Sequence, residues 1–520
     1  MKKRVVTILT LFLIFTTGYA QKYDNVWLWG YFPQYQDTYW WTGNGRIDFE
    51  ADTFSLSAKS YNDVFRYSSN FFSDKDGHLE IYTNGMWLRD TTGNKIMNGD
   101  SLNYGAIWES WEQAAIDGTG AYSYPEGVFF LPMPENDSII YAIQHIANNT
   151  ANQLNDTMAY SIIARNSNGY NCTIKNQMLP NAGPPTFRNV AACKHGNGRD
   201  WWVFYNEYFT NCIQKYMLTQ DGLVYIGIQC IGDTVKASAN SLFSPDGSLF
   251  IRSDFAATYT NVFNFDRCSG QIDQLRRITP TTIIDTVAHN VIDYQWGSAI
   301  SSSNRYYYTV MGNYVFQYDL SAINIDSTRD TVATVYGLGL TDTINGGEVY
   351  YGFQMIQEGG DGKLYISPFY GSWHLSYINE PNKRGDSCDF RMMGLALPKW
   401  WDRGMPYYPN YRLGRLIGSA CDTVYSDVKP IYKESPWLKV YPNPATDNVR
   451  LEYNWVEWEK YTDVRCKILD LRGTAVMQMQ IPRYSSWQTV NVKGLAAGGY
   501  IVTLQGNGKT LAVAKLSKVE

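Results

Sequence analysis

"ANSLFSPDGSLFIRSDF", residues 239–255, reads as two short apolar runs either side of Pro245-Asp246-Gly247. Asp-Gly supplies the backbone conformations that a tight hairpin needs, and the Leu, Phe and Ile around it suit a pleated, half-buried surface. The stretch therefore reads as two antiparallel strands. The same pattern recurs in "VFRYSSNFFSDKDGHLEIYTNG" (64–85), "GVFFLPMPENDSIIYAIQH" (127–145), "VAACKHGNGRDWWVFYNE" (190–207), "SAISSSNRYYYTVMGNYVFQYD" (298–319) and "GFQMIQEGGDGKLYISPFYG" (352–371). The turns centre near Asp76, Asn136, Asn197, Asp246, Asn304 and Asp361, a spacing of about 50–60 residues that suits one four-stranded blade plus loops. The expected fold is all-β, a β-propeller of six or seven blades. A seventh blade would be assembled from both ends, with "NVWLWGYF" (25–32) and "GRIDFEADTFSL" (45–56) from the front and a strand at "RLGRLIGS" (412–419) from the back. Closing the ring in this way removes exposed sheet edges. Two stacked sandwiches are the alternative, but they would not require the period.

Composition supports the same class. Aromatic residues make up 15% of the chain, glycine is abundant, and long amphipathic helical patterns are hard to find. Charge is mild, 44 basic against 49 acidic residues, which argues against a nucleic-acid partner and against a polybasic membrane surface.

Residues 1–20 read as a signal peptide. Lys2, Lys3 and Arg4 precede the apolar run Val5 to Phe15, and the small residues Gly18 and Ala20 stand at −3 and −1 of a cleavage point before Gln21. The apolar run is shorter than a bilayer span requires, so no transmembrane span is expected in the mature protein. Eight cysteines fit an oxidising compartment. Folding "NCIQKYMLTQDGLVYIGIQC" about Asp221 sets Cys212 opposite Cys230 as a candidate disulfide, and two unpaired thiols are the alternative. Cys193 with Cys268 and Cys388 with Cys421 are looser pairings. The expected domains are a propeller over 21–420, a polar, proline-containing linker over 421–437, and a small immunoglobulin-like β-sandwich of about seven short strands over 438–520.

Two resemblances add to this reading. "YPNP" (441–444), "ILDLRGTAV" (468–476), "LAAGGYIVTL" (495–504) and "AVAKLSKVE" (512–520), taken in order, resemble the type A C-terminal sorting domain of the Bacteroidetes type IX secretion system. The matching positions are Tyr441, Pro442, Asn443, Pro444, Asp470, Gly473, Gly499 and Tyr500. Pro442 and Pro444 would fix an extended first strand, and Gly498 and Gly499 the turn before Tyr500. The resemblance implies the type IX secretion machinery as a partner and an export signal that is usually cleaved. It also implies a protein secreted or held at the outer-membrane surface after periplasmic export. The body resembles exported Bacteroidetes propeller-like proteins through "TNGMWLRDTTGNKIMNGDSL" (83–102), "KHGNGRDWW" (194–202), "SPDGSLF" (244–250) and "FDRCSG" (265–270), a likeness that implies no reaction.

For chemistry, "KHGNGRDWW" is the most pointed motif. His195, Arg199, Asp200, Trp201 and Trp202 form a candidate binding cluster with an aromatic platform, or else a capped turn whose indoles pack between blades. "SDKDGHLE" (73–80) lacks the oxygen-ligand spacing of a calcium loop. With five histidines, no HExxH and no GxSxG, no metal site, cofactor or hydrolase elbow is expected. Asp-Ser/Thr pairs resemble the O-glycosylation acceptors of exported Bacteroidetes proteins. They place candidate glycans on Thr91, Ser101, Ser138, Thr157, Thr234, Thr286, Ser327, Thr331, Thr343 and Thr423, although turn chemistry favours the same residues. The expected function is a binding or adhesion module for a glycan or protein at the cell surface. The alternative is a propeller-type glycoside hydrolase or lyase acting at the central channel, which two close carboxylates there would favour.

Overall fold

The computed structural model describes residues 21–31, 42–50, 53–114, 120–122, 127–148, 154–235, 239–254, 259–279, 283–284, 291–292, 295–335, 352–369, 371–422 and 438–519, apart from residues 60, 62, 454, 455, 457, 458, 462, 471–473 and 508. The proposed signal peptide and nearly all of the linker lie outside these residues. The chain divides into two compact units, Met1–Thr423 and Val424–Glu520. Among the described residues, no helix is long and apolar enough to cross a membrane.

The first unit is a propeller, and its described residues form seven antiparallel meander sheets plus a two-stranded pair, Ile283–Ile284 with Val291–Ile292. Blade 1 holds Val26–Tyr31, Gly43–Phe49 and Phe54–Lys59, and blade 2 holds Asn70–Ser73, Leu79–Thr83 and Leu88–Asp90. Blades 3 to 7 have four strands each, beginning at Val128–Met133, Pro185–Lys194, Ala239–Phe243, Ser298–Ile300 and Phe353–Glu358. All six quoted turns join the first strand of a blade to its second, in blades 2 to 7. In blade 5 the Asp246 carboxylate accepts from Ser244 Oγ at 2.7 Å and from the Ser248 amide at 2.9 Å, closing the turn. Gly247 sits at φ +71°, and a Cβ there would meet Cys193 Sγ at 2.8 Å, so glycine is required twice over. Large aromatics fill the gaps between blades. Trp202 and Phe204 of blade 4, for instance, pack edge-on against Phe265 of blade 5.

Blade 1 shows how the ring closes. Tyr23 O, just before Val26–Tyr31, accepts from the Ser73 amide at the end of the first strand of blade 2. Gly30 O accepts from the Phe65 amide, which precedes that strand. Val26–Tyr31 thus runs opposite to the first strand of blade 2, in the direction of a second strand. The lane inside it is taken by residues 402–412. Tyr408 stacks on Trp27 at 6.4 Å and donates to Val26 O. Both ends of the unit therefore build blade 1, but the strand expected at 412–419 is absent. That stretch is turns, with Gly418 at φ +79°, and Pro406 and Pro409 deny the lane a hydrogen-bonded ladder. Trp27 against Tyr365 of blade 7 and Trp29 against Trp401 complete the seam.

The second unit is a sandwich of seven strands. Lys439–Tyr441, Asn448–Glu452 and Trp487–Asn491 form one sheet. Ala475–Gln480, Val464–Leu469, Gly498–Gly506 and Lys509–Lys518 form the other. Alternation sets its core, with Val449 and Leu451 facing Cys466, Ile468, Val502 and Leu504 inside.

Candidate functional site

The cysteines separate into two bridges and four buried thiols. Cys212 pairs with Cys230, its partner in register across the hairpin, as expected. The looser pairings are not formed. Cys268 is bonded to Cys421 instead, and Cys193 and Cys388 are buried and free. The room for the Cys268–Cys421 bridge comes from Gly196, whose Cβ would lie 2.3 Å from Cys421 Sγ. Cys388 lies in the core between blades 6 and 7, away from Cys421.

"KHGNGRDWW" forms the first turn of blade 4. The Asn197 amide donates to His195 Nδ1 at 3.1 Å, so His195 Nε2 is the donor to Cys268 O at 3.0 Å. Arg199 grips Asp200 through Nε and Nη2 and reaches Glu135, while Asn197 Nδ2 also donates to Asp200. Trp201 and Trp202 are fully buried. Trp202 Nε1 donates to Arg267 O, and Trp201 packs edge-on to Tyr411. The indoles present no face to solvent, and the geometry favours the capped-turn reading of this cluster. Its backbone does hold another element, since Gly196 O accepts from the Leu416 amide at 2.7 Å.

That element is a strap from Asp402 to Asp422, which the sequence alone did not reveal. Its side chains and backbone bond to blades 2 to 5. Tyr411 Oη donates to Phe130 O at 2.6 Å, and Tyr407 Oη accepts from the Ala192 amide at 3.3 Å. Asn70 Nδ2 donates to Tyr407 O, and Asn410 Nδ2 to Pro245 O, both at 2.7 Å. Met405, Tyr408 and Tyr411 are buried. The strap fills the channel on the side of blades 1 to 4.

On the other side, between the strap and the first strands of blades 5, 6 and 7, a cavity of about 520 Å³ remains. Its polar lining includes Asn240, Ser298, Asn304 and Gln357, and its apolar wall includes Phe243 and Met355. Three carboxylates line it, those of Asp24, Asp246 and Glu358. Arg412 clamps Asp24 with two bonds of 2.6 and 2.8 Å. Asp246 is engaged by Ser244 and Ser248. The Glu358 carboxylate makes no hydrogen bond or ion pair among the described residues. Burial pushes it up to about 7, opposed by Arg412 and reinforced by Asp24 and Asp361. Its side chain still opens onto the cavity, so water and a ligand reach it. Among the described residues no three His, Cys, Asp or Glu side chains cluster to hold a metal ion. Glu358 stands just before the Gly359-Gly360-Asp361-Gly362 turn of blade 7, and no sequence motif marked it.

In the sandwich, strand Lys439–Tyr441 stops at the prolines rather than running through them. Both Tyr441–Pro442 and Asn443–Pro444 are cis, and neither proline has an N–H to give a ladder. Asn443 Oδ1 accepts from the Ser517 amide at 2.8 Å, tying this bend to the last strand. Asp470 Oδ1 accepts from the Thr474 amide at 2.9 Å, and Gly473 lies outside the described residues. Gly498 and Gly499 are already in the strand, opposite Lys518 and Ser517, and Tyr500 is buried with its Oη on Ala496 O.

Residues 439–518 match the secretion system C-terminal sorting domain family. No curated protein sequence matches the chain. Among solved structures, the chain is similar to PorZ, an essential bacterial surface component of the type-IX secretion system of Porphyromonas gingivalis (11% identity, 92% of this chain, 68% of that one, TM-score 0.29). It is also similar to a putative 6-phosphogluconolactonase from Bacteroides uniformis (13%, 72% and 92%, TM-score 0.31) and to the Dos1 propeller (12%, 62% and 83%, TM-score 0.34). None is close enough to carry a conclusion, and the propeller rests on its own sheet order. The molecule is a β-propeller joined to a type IX secretion sorting domain. Such a domain directs a chain to the cell surface or into the medium and implies contact with the secretion machinery.

Proposed function

We infer that this is an exported binding module whose channel cavity takes a small polar ligand of the glycan type. In this reading, residues 1–20 are removed before Gln21, the sorting domain is cut off within 423–437, and the propeller works at the surface or free. The cavity carries the reading. It falls within the roughly 300–1,000 Å³ usual for small-molecule sites and combines convergent polar side chains with an apolar wall. Exposed Thr91, Ser138, Thr234, Ser327 and Thr331 are the more accessible of the proposed glycan acceptors. Ligand-observed NMR with a panel of mono- and disaccharides tests the site. Binding should be lost in Gln357→Leu. A panel with no binder, or binding that survives the substitution, would reject the cavity.

A second reading, a carbohydrate-active enzyme, is favoured by one observation. Glu358 has the raised carboxyl that a general acid needs, with Asp24 and Asp246 lining the same cavity. Release of reducing sugar or unsaturated product from polysaccharides, abolished in Glu358→Gln, would support it. Its absence across the polysaccharides assayed would leave the binding module.

A further inference from the structure

The charges around the cavity are unevenly balanced. Asp24 is neutralised by Arg412, and Asp361, buried behind the blade 7 turn, is neutralised by Lys363 at 2.6 Å with Tyr365 Oη also donating to it. Arg412 is thereby committed to Asp24, and Lys363 to Asp361. Glu358 lies near both pairs and opens onto the cavity. It feels the charge of Arg412, which is hydrogen-bonded to Asp24, but its carboxylate makes no hydrogen bond or ion pair of its own among the described residues. An ionised carboxylate in such a place is unfavourable unless something supplies the missing positive charge. The neutral polar groups that line the same cavity, Gln357, Asn240 and Ser298, can serve hydroxyls but cannot supply that charge.

We propose that the channel cavity selects ligands bearing a primary ammonium group, which docks on Glu358 while Gln357, Asn240 and Ser298 hold neighbouring hydroxyls, so that an unacetylated amino sugar is the class of ligand that fits. This inference rests on the glycan-binding reading above and sharpens it. Removal of the amine's charge by acetylation leaves Glu358 without a partner and adds bulk at the same point.

The test is titration calorimetry on the full chain at pH 7, with glucosamine, N-acetylglucosamine and the diamine cadaverine as probes. Glucosamine should bind at least about tenfold tighter than its acetylated form, as expected for a charge-assisted pair in a largely desolvated site. Glu358→Gln should erase the preference while keeping the side-chain shape. The wild-type ratio stands even if that variant folds poorly. Equal or tighter binding of N-acetylglucosamine, unchanged in Glu358→Gln, would overturn the charge selection and leave the glycan site intact. Binding of cadaverine alone, dependent on Glu358, would uphold ammonium recognition and reject the sugar frame. No binding by any probe would reject both.

Discussion

Burial raises the Glu358 carboxyl to about 7, while the unfolded chain leaves it near its ordinary 4.5. Between those values the folded state holds a proton that the unfolded state has released. Stability is therefore fullest below about 4.5 and falls as pH rises through 7. Glu358→Gln removes the ionisable group and hence the loss. The variant should match the wild type near pH 4.5 and exceed it at pH 8 by on the order of 1–3 kcal/mol, discounted because the side chain reaches cavity water. Urea denaturation at the two pH values checks this, and a variant no more stable at pH 8 would show that Glu358 titrates normally. Tyr411 makes a different prediction. Its hydroxyl donates to Phe130 O in a fully buried position, and Tyr411→Phe leaves that carbonyl unpaired. The expected cost is about 1–2 kcal/mol in the same denaturation measurement, with no dependence on pH. Neither residue advertised itself in the sequence, because a lone glutamate before a glycine turn and a tyrosine two residues after a proline carry no local signature of what they will face.

The hairpins were legible because each is decided by a few neighbouring residues. Asp246 and Gly247 close their own turn whatever the rest of the chain does, and Cys212 meets Cys230 because a single turn sets the register. The strap was not legible. Its partners, Val26, Asn70, Phe130 and Ala192, lie hundreds of residues upstream, and its prolines read as loop. With no ladder of its own, the strap depends on side chains, on scattered backbone bonds such as Leu416 to Gly196, and on one covalent tie, Cys268–Cys421, across a sequence separation of 153. Closing so long a loop restricts the unfolded chain by roughly 5 kcal/mol in the chain-entropy picture, against measured values of about 2–4 for typical bridges. Cys268→Ala/Cys421→Ala should therefore lower the melting temperature of the propeller and speed proteolysis of 402–422. Cys212→Ala/Cys230→Ala should cost less, since that short hairpin is held by its own ladder. Equal melting of the first variant and the wild type would mean that Tyr411, Arg412 and Leu416 suffice to seat the strap.

At the scale of the whole chain, the two compact units have different fates in the proposed function, and the structure sets where they can be parted. The strap is anchored to the propeller as far as Cys421, and burial in the sandwich begins at Leu438, which is 4% exposed. A cut before Cys421 would leave strap residues disulfide-bonded to blade 5, and a cut after Leu438 would break the core that defines the sorting domain. Only the stretch between 422 and 438 can be severed with both units whole, and its polar, proline-bearing sequence suits a processing site. Intact-mass and terminal peptide analysis of the exported protein should give a chain that begins at Gln21 and ends within that stretch, with hexose-sized increments if the Asp-Ser/Thr acceptors are used. A mature terminus upstream of Cys421 would mean that the strap is expendable and that the channel is open in the working molecule. Retention of 438–520 in the mature protein would mean that the sandwich stays as a part of the molecule at the surface, and binding would then have to be measured with it attached.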